Sequence, residues 1–335
     1  MNFLDHWLTQ DLLVIGAFAL VFFLVRAGAR NERWHRAWTR LKRDRTGLIA
    51  FGVVLLYLFI GALETLRIPH GTDTQSMIDI FTRGVAVEKS YSAPLADELL
   101  GSVRHEKLNG RHLLGTDVLG KDVFVQMIKA CRTALVIGGL TSAIYVPLGA
   151  LLGVLAGYFR RWVDDVIQYI YSTLASIPEI LLLVAILMVL GKGLGTMSLA
   201  LGVTGWVGLC RLIRGETMRQ SERPYVAAAR AIGQSHRNIV VRHLLPNVMH
   251  LVLISFVLGF SNIVLAEAIL SYLGVGAPVG TSSWGIMIDA GRTELGRDPL
   301  VWWNISAATA ALFGLVLSLN IFGDSLRRAF DPKRG

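Results

Sequence analysis

The chain is poor in the residues that carry covalent or redox chemistry. Only two of its 335 residues are cysteine, Cys131 and Cys210, too few for a disulfide framework. No His-Glu-x-x-His or paired-cysteine spacing suits zinc, and His105 and His112 stand isolated, so no metal site and no cofactor is expected of this chain. Ser142, Ser172, Ser198 and Ser255 have no evident base in reach, which argues against an intramembrane enzyme. Charge is scarce as well. Charged residues make up 17% of the chain and hydrophobic ones 53%, whereas a soluble domain lies nearer ~45–50% apolar and lacks runs of about 20. Acid is scarcer than base, leaving a formal charge of +9. In a soluble chain that excess would suggest nucleic acid. Here the cations collect in loops between apolar runs, which is how membrane proteins fix their orientation, and no nucleic-acid partner is expected.

What is present is a set of seven apolar segments: Leu12 to Val25, Gly47 to Leu66, Thr133 to Phe159, Val166 to Leu190, Met197 to Ile213, Val248 to Tyr272, and Trp302 to Phe322. They predict an all-α polytopic membrane protein of about seven transmembrane helices, surrounded by lipid. Between the first two segments lie Arg26, Arg30, Arg33, Arg36, Arg40, Lys42, Arg43 and Arg45, against Glu32 and Asp44, so that loop is expected in the cytoplasm. Arg160 and Arg161, the stretch from Arg211 to Arg242, and the end from Arg327 to Arg334 then fall on the same side. This sets the N-terminus outside and the C-terminus inside. It also puts the two cysteines near opposite faces, where they do not pair. Although Ala27-Gly28-Ala29 mimics a signal-peptidase site, acids precede this apolar core and arginines follow it, the reverse of a signal peptide. The organisation expected is therefore an extra N-terminal helix over 1–30, a basic linker and first core helix over 31–66, an external segment over 67–132, and a helical core over 133–335.

Gly115-Thr-Asp-Val-Leu-Gly120-Lys121-Asp122 is one residue from a nucleotide-binding phosphate loop. The last position needs a hydroxyl to hold magnesium, and Asp122 has none. No strand precedes it, and it lies on the outer face, away from ATP. Any ATPase must be a separate polypeptide.

Arg211 to Pro246 is a cationic, helix-compatible interruption between two spans. Its centre, Tyr225-Val-Ala-Ala-Ala-Arg-Ala-Ile-Gly233, reads as a short alanine-rich helix with a glycine stop, held at a membrane surface where it can plug into a partner. This stretch, with Leu245-Pro246 after it, resembles the cytoplasmic coupling loop of ABC-importer membrane subunits, in which Ala227 takes the place of the usual glutamate. Further matches come in order: His112 to Val123, Trp206 with Arg211 and Arg214, Arg242 to Asn247, Glu267 to Gly274, Ser283-Trp284-Gly285, and Asn320 to Pro332. The set resembles the dipeptide/oligopeptide/nickel family of ABC importers, and within it the second, C-type permease.

The resemblance implies a pathway shared with a second permease, two ATP-binding subunits carrying ATP and magnesium, and an external substrate-binding protein. It makes Tyr225, Ala228, Ala229, Gly233 and Pro246 the coupling residues, with Ala228 and Ala229 small enough to seat in a groove. Of Arg211, Arg214, Arg219 and Arg223, one is expected to reach the ATPase and the others to set orientation. Short peptides are the implied cargo; nickel or another small solute is the alternative. An ion-coupled secondary transporter is a rival of a different class, but it would want paired ionisable groups at mid-membrane and inverted repeats.

Within the spans, Gly149, Gly153 and Gly157 repeat every four residues, and Gly202, Gly205 and Gly208 thin another helix. Such stripes serve either plain packing or a seam at which helices slide. Pro147 and Pro178 are expected to kink their helices. Beside Pro178, Glu179 is the deepest acid; it either meets substrate in the pathway or is paired or neutralised internally. Glu267 lies near the outer face, where the resemblance makes it part of a gate and structure alone would make it a cap. Trp284, Trp302 and Trp303 read as interfacial anchors.

Overall fold

The computed structural model describes residues 32–70, 73–100, 106–278 and 280–331. The apolar segment Leu12 to Val25, expected as an extra helix, lies outside the described residues. Among the described residues five helices are long and apolar enough to cross a membrane, and one bent pair passes the same test when its two helices are taken together. Around them the only sheet among the described residues is one two-stranded hairpin.

The order begins with α1 (Glu32–Leu41) and α2 (Arg45–Thr65), separated by a short turn. Asp44 caps α2 by accepting from the Gly47 amide at 3.2 Å. Thr46, Arg328 and that amide together hold the Asp44 carboxyl well below the usual carboxylate range. The segment expected to be external follows: β1 (Arg67–His70) pairs antiparallel with β2 (Asp73–Ser76), and α3 (Met77–Phe81) comes next. Then come α4 (Val123–Phe159), α5 (Arg161–Ala175), α6 (Glu179–Leu190) and α7 (Leu194–Ser221). A short surface helix, α8 (Pro224–Ala231), leads to a helical turn at His236–Asn238 and a π turn at Ile239–Leu244. These run without a break into α9 (Leu245–Tyr272), and α10 (Trp284–Glu294) and α11 (Trp303–Phe330) complete the chain.

Two differences from the hydropathy reading bear on the fold. The third apolar segment begins its helix at Val123 rather than Thr133, because Asp122 caps it by accepting from the Val125 amide at 2.9 Å, and its polar first turns find partners in the external segment. Lys129 pairs with Asp79 there, and Thr133 donates to the Ser282 carbonyl at 2.6 Å. The fourth segment is no kinked rod. At Ser176-Ile-Pro178 the chain breaks, and α5 and α6 meet at 85°. Pro178 supplies no N–H to continue the helix, so α6 starts afresh. By contrast α4 runs on through Pro147.

The basic clusters gather at one end. There Arg328 meets Asp44 at 3.0 Å, Arg160 meets Glu222 at 2.8 Å, and Trp34 packs edge-on against Phe330. The opposite end holds the external segment, α10 and the start of α11. The ends of the described helices thus sort into a cationic side and an opposite one, the distribution of charge that the positive-inside rule describes.

The glycine stripes separate into two uses. Gly149, Gly153 and Gly157 pack against α7, and a Cβ at Gly153 would lie 2.8 Å from the Cys210 carbonyl oxygen. Gly202 meets Ile144, but Gly205 and Gly208 face open space. We predict that Gly153→Val costs about 1–3 kcal/mol through overpacking, while Gly205→Ala is neutral or gains up to about 1 kcal/mol of helix propensity. Thermal unfolding of the two purified variants in one detergent checks the contrast.

Candidate functional site

The coupling-loop helix is built from its ends inward. Pro224 opens α8, where its missing N–H has no partner to lose. At the other end Gly233 takes φ +78°. The Gly233 amide donates to the Arg230 carbonyl and the Gln234 amide to the Ala229 carbonyl, both at 3.0 Å. This is the paired bonding of a Schellman stop, which favours glycine. The helix expected at Tyr225 to Gly233 is thus present, with its stop where the glycine stands.

Its two faces differ. Val226 and Ala229 are buried against Tyr158, Ile239 and Leu244. Tyr225, Ala227, Ala228 and Ile232 are exposed. Ala229, expected to seat in a partner's groove, instead seats in the chain's own. Ile232, which the sequence reading passed over, is 75% exposed and shares a face with Tyr225 and Ala228 through the spacing i, i+3, i+7. That spacing was the available signal.

The helix is tied to two spans. The Tyr225 hydroxyl donates to Gln220 Oε1 on α7 at 3.1 Å and accepts from Asn247 Nδ2 on α9 at 3.4 Å. His243 Nε2 meets Gln234 Oε1 at 2.9 Å, and the Tyr158 hydroxyl meets His236 Nδ1 at 2.7 Å. Pro246, half-buried in the first turn of α9, follows the π turn. The Leu245 amide reaches back to Val240 across that wide turn, which lets the helix enter the proline without a ring clash. Among the four arginines, Arg214 grips Asp164, Arg211 lies over the Tyr171 ring at 4.8 Å, and Arg219 pairs with Glu216. Arg223, the residue ahead of Pro224, is exposed, as are Arg211 and Arg219.

Above this helix, α7, α9 and the α5–α6 elbow enclose a cleft of about 640 Å³. Its walls are mainly aliphatic, with the open Gly205 and Gly208 on one side and Thr141, Tyr145 and Asn262 on the others. Pro178 and Glu179 sit at the elbow and line it. Glu179 is exposed, in the first turn of α6, so it is not at the middle of an unbroken span. The two residues belong to the same cleft, and Glu267 does not.

Glu267 is 1% exposed and accepts from Ser271 at 2.8 Å and from Ser283 at 2.6 Å. Each serine oxygen in turn accepts a backbone amide, from Ala277 and from Gly285. One carboxylate thereby clasps the loop between α9 and α10. Two of the three expected tryptophan anchors are also buried braces: Trp284 donates to the Met127 carbonyl and Trp303 to the Thr116 carbonyl, each at 3.0 Å. Only Trp302, half exposed, keeps the position of an anchor. The phosphate-loop mimic is spent on itself. Asp117 Oδ1 accepts from the Leu119 and Lys121 amides at 2.8 and 2.9 Å, the kind of donors a phosphate would need.

Comparison with known proteins supplies the class. Residues 149–335 match the family described as binding-protein-dependent transport system inner membrane component, and the chain belongs to it. It is a multi-pass bacterial inner-membrane permease subunit of an ABC importer and not an enzyme; ATP hydrolysis belongs to partner subunits. The ion-coupled rival is thereby set aside. Among relatives, the dipeptide transport system permease protein of Bacillus subtilis is 29% identical over 89% of this chain and 85% of its own length. The glutathione transport system permease protein of Pectobacterium atrosepticum is 29% identical over 98% of each chain. The oligopeptide transport system permease protein of Bacillus subtilis is 31% identical over 66% of this chain and 72% of its own length.

At the outer end, Glu294 is buried and bonded by Asn304 Nδ2 at 3.2 Å and by the Tyr91 hydroxyl at 3.3 Å. Burial pushes its carboxyl above the ordinary value, and the hydrogen bonds only partly offset this. A carboxyl raised in the folded state stabilises fully below its unfolded value and loses that contribution as pH rises through the folded one. We predict that the melting temperature falls as pH rises from the ordinary glutamate range, and that Glu294→Gln flattens this dependence in a pH series of thermal melts.

Proposed function

We propose that this chain forms the pathway of a peptide importer with a second permease, takes substrate from an external binding protein, and is driven by two ATPase subunits. The observation that carries the reading is α8, a surface helix whose exposed face is offered outward while its buried face packs on Tyr158 of α4 and on the π turn, and whose Tyr225 hydroxyl bonds α7 and α9. Tyr225, Ala228 and Ile232 dock into an ATPase groove. Val226 and Ala229 hold the helix in place, Gly233 ends it, and Pro246 sets its connection to α9. ATP binding closes the ATPases and pushes on α8. The push passes through Gln220 into α7 and through Asn247 into α9, the helices that wall the cleft, and the pathway switches between inward- and outward-facing states. Partner and nucleotide act only through their differential contacts in those two states.

The names of the dipeptide, oligopeptide and glutathione permeases support peptide cargo over nickel. So does the chemistry of the cleft. Aliphatic walls and exposed glycines accept varied side chains, and Glu179 offers a carboxylate to the ammonium group that every free peptide carries. Glu267 serves the outer gate as its clasp.

The test is ATP-driven uptake of labelled short peptides by the affinity-purified complex in liposomes, with nickel as the competing cargo. We predict peptide uptake and not nickel uptake. Glu179→Gln lowers peptide uptake about tenfold, the loss of roughly one charge-assisted hydrogen bond at ~1.5 kcal/mol, while peptides with a blocked amino terminus lose little. Unchanged uptake and unchanged selectivity in Glu179→Gln would remove the carboxylate from the pathway.

A further inference from the structure

A second hollow lies on the far side of the core. It occupies about 490 Å³ between α1, α2, α9 and α11. Its lining runs up α11 from Phe330 at the cationic end to Leu315, a depth of roughly 22 Å at ~1.5 Å per residue. That exceeds one leaflet of a hydrocarbon core ~30 Å thick. Its length and its almost wholly aliphatic and aromatic lining suit one hydrocarbon chain lying along α11. The polar groups in the lining are few, and the Tyr57 hydroxyl is already spent on the Ala311 carbonyl at 2.9 Å.

The mouth has the opposite character. There α1 lays Trp34, Trp38 and Leu41 across the groove. Lys42 stands over the Trp38 ring at 5.6 Å, and Arg43 is exposed beside it. The nearby carboxylate, Asp44, is taken by Arg328. Among the described residues neither Lys42 nor Arg43 has an acidic partner. An amphipathic helix with uncompensated cations at the cytoplasmic edge of a span attracts anionic lipid.

We propose that this groove holds one acyl chain of an anionic phospholipid whose phosphate rests on Lys42 and Arg43. The site would anchor α1 against α11 and hold the α2 side of the subunit in register with the bilayer. It is independent of the transport pathway, because it shares no lining residue with the cleft at Glu179.

The experiment is native mass spectrometry of the full-length protein after exchange into micelles containing either phosphatidylglycerol or phosphatidylcholine. One phosphatidylglycerol is retained in preference to phosphatidylcholine. The double variant Lys42→Glu, Arg43→Glu, altered only at exposed positions, weakens that preference about fivefold per cation removed. Val54→Trp fills the groove and reduces retention of both lipids to background, with unchanged elution and helical circular dichroism as the check on folding. Equal retention of the two lipids, no retained lipid, or retention unaffected by Val54→Trp would overturn the site.

Discussion

The docking proposed for α8 rests on one small buried contact, that of Val226 and Ala229 with Ile239, Leu244 and Tyr158. A helix of eight residues does not hold itself together in water. The Pro224 start and the Gly233 stop set its limits, but burial of one face gives it persistence. Because that face belongs to the interior, the opposite one is presented in a fixed orientation. A rigid contact can transmit a push, whereas a mobile loop would absorb it.

The same contact sits where two long helices come together. Gln220 closes α7 and Asn247 opens α9, and both bond Tyr225. The rod that begins at His236 ends at Tyr272 and carries Glu267 near its outer end. One continuous helix therefore joins the base of the proposed docking helix to the carboxylate that ties the loop between α9 and α10 through Ser271 and Ser283. Beside it, the break at Pro178 frees α6 from α5. Of α6 only Leu183 and Leu187 are buried. In lipid such a break needs shelter for its freed backbone groups, and the cleft shared with α7 and α9 provides a sheltered place.

Much of this was legible in the residues. The apolar runs located five spans, and the basic clusters, which the fold brings to one end, gave the alternation. The alanine run followed by Gly233 gave α8 and its stop. The burial of Ala229 was not legible, because three consecutive alanines give a helix no readable inner face; Ile232 was the missing marker. Nor was the 85° break at Pro178, since a mainly apolar segment continuing on both sides of it from Val166 to Leu190 hides whether proline bends a helix or ends it. Partners far apart in sequence were equally hidden. Trp284 finds Met127, Trp303 finds Thr116, and Lys129 finds Asp79. These contacts turn expected membrane anchors into internal braces and extend α4 past the hydropathy limit.

The proposed coupling depends above all on the partition of α8 into an outward face and an inward face, and cross-linking measures that partition directly. Cys131 and Cys210 are both buried, so single cysteines placed on α8 give a clear signal. In the assembled importer Ala228→Cys should cross-link to an ATPase subunit in a nucleotide-sensitive way, and Ala229→Cys should not. Cross-linking from position 229 but not from 228 would mean that the helix presents the other face, and docking through Tyr225, Ala228 and Ile232 would be ruled out.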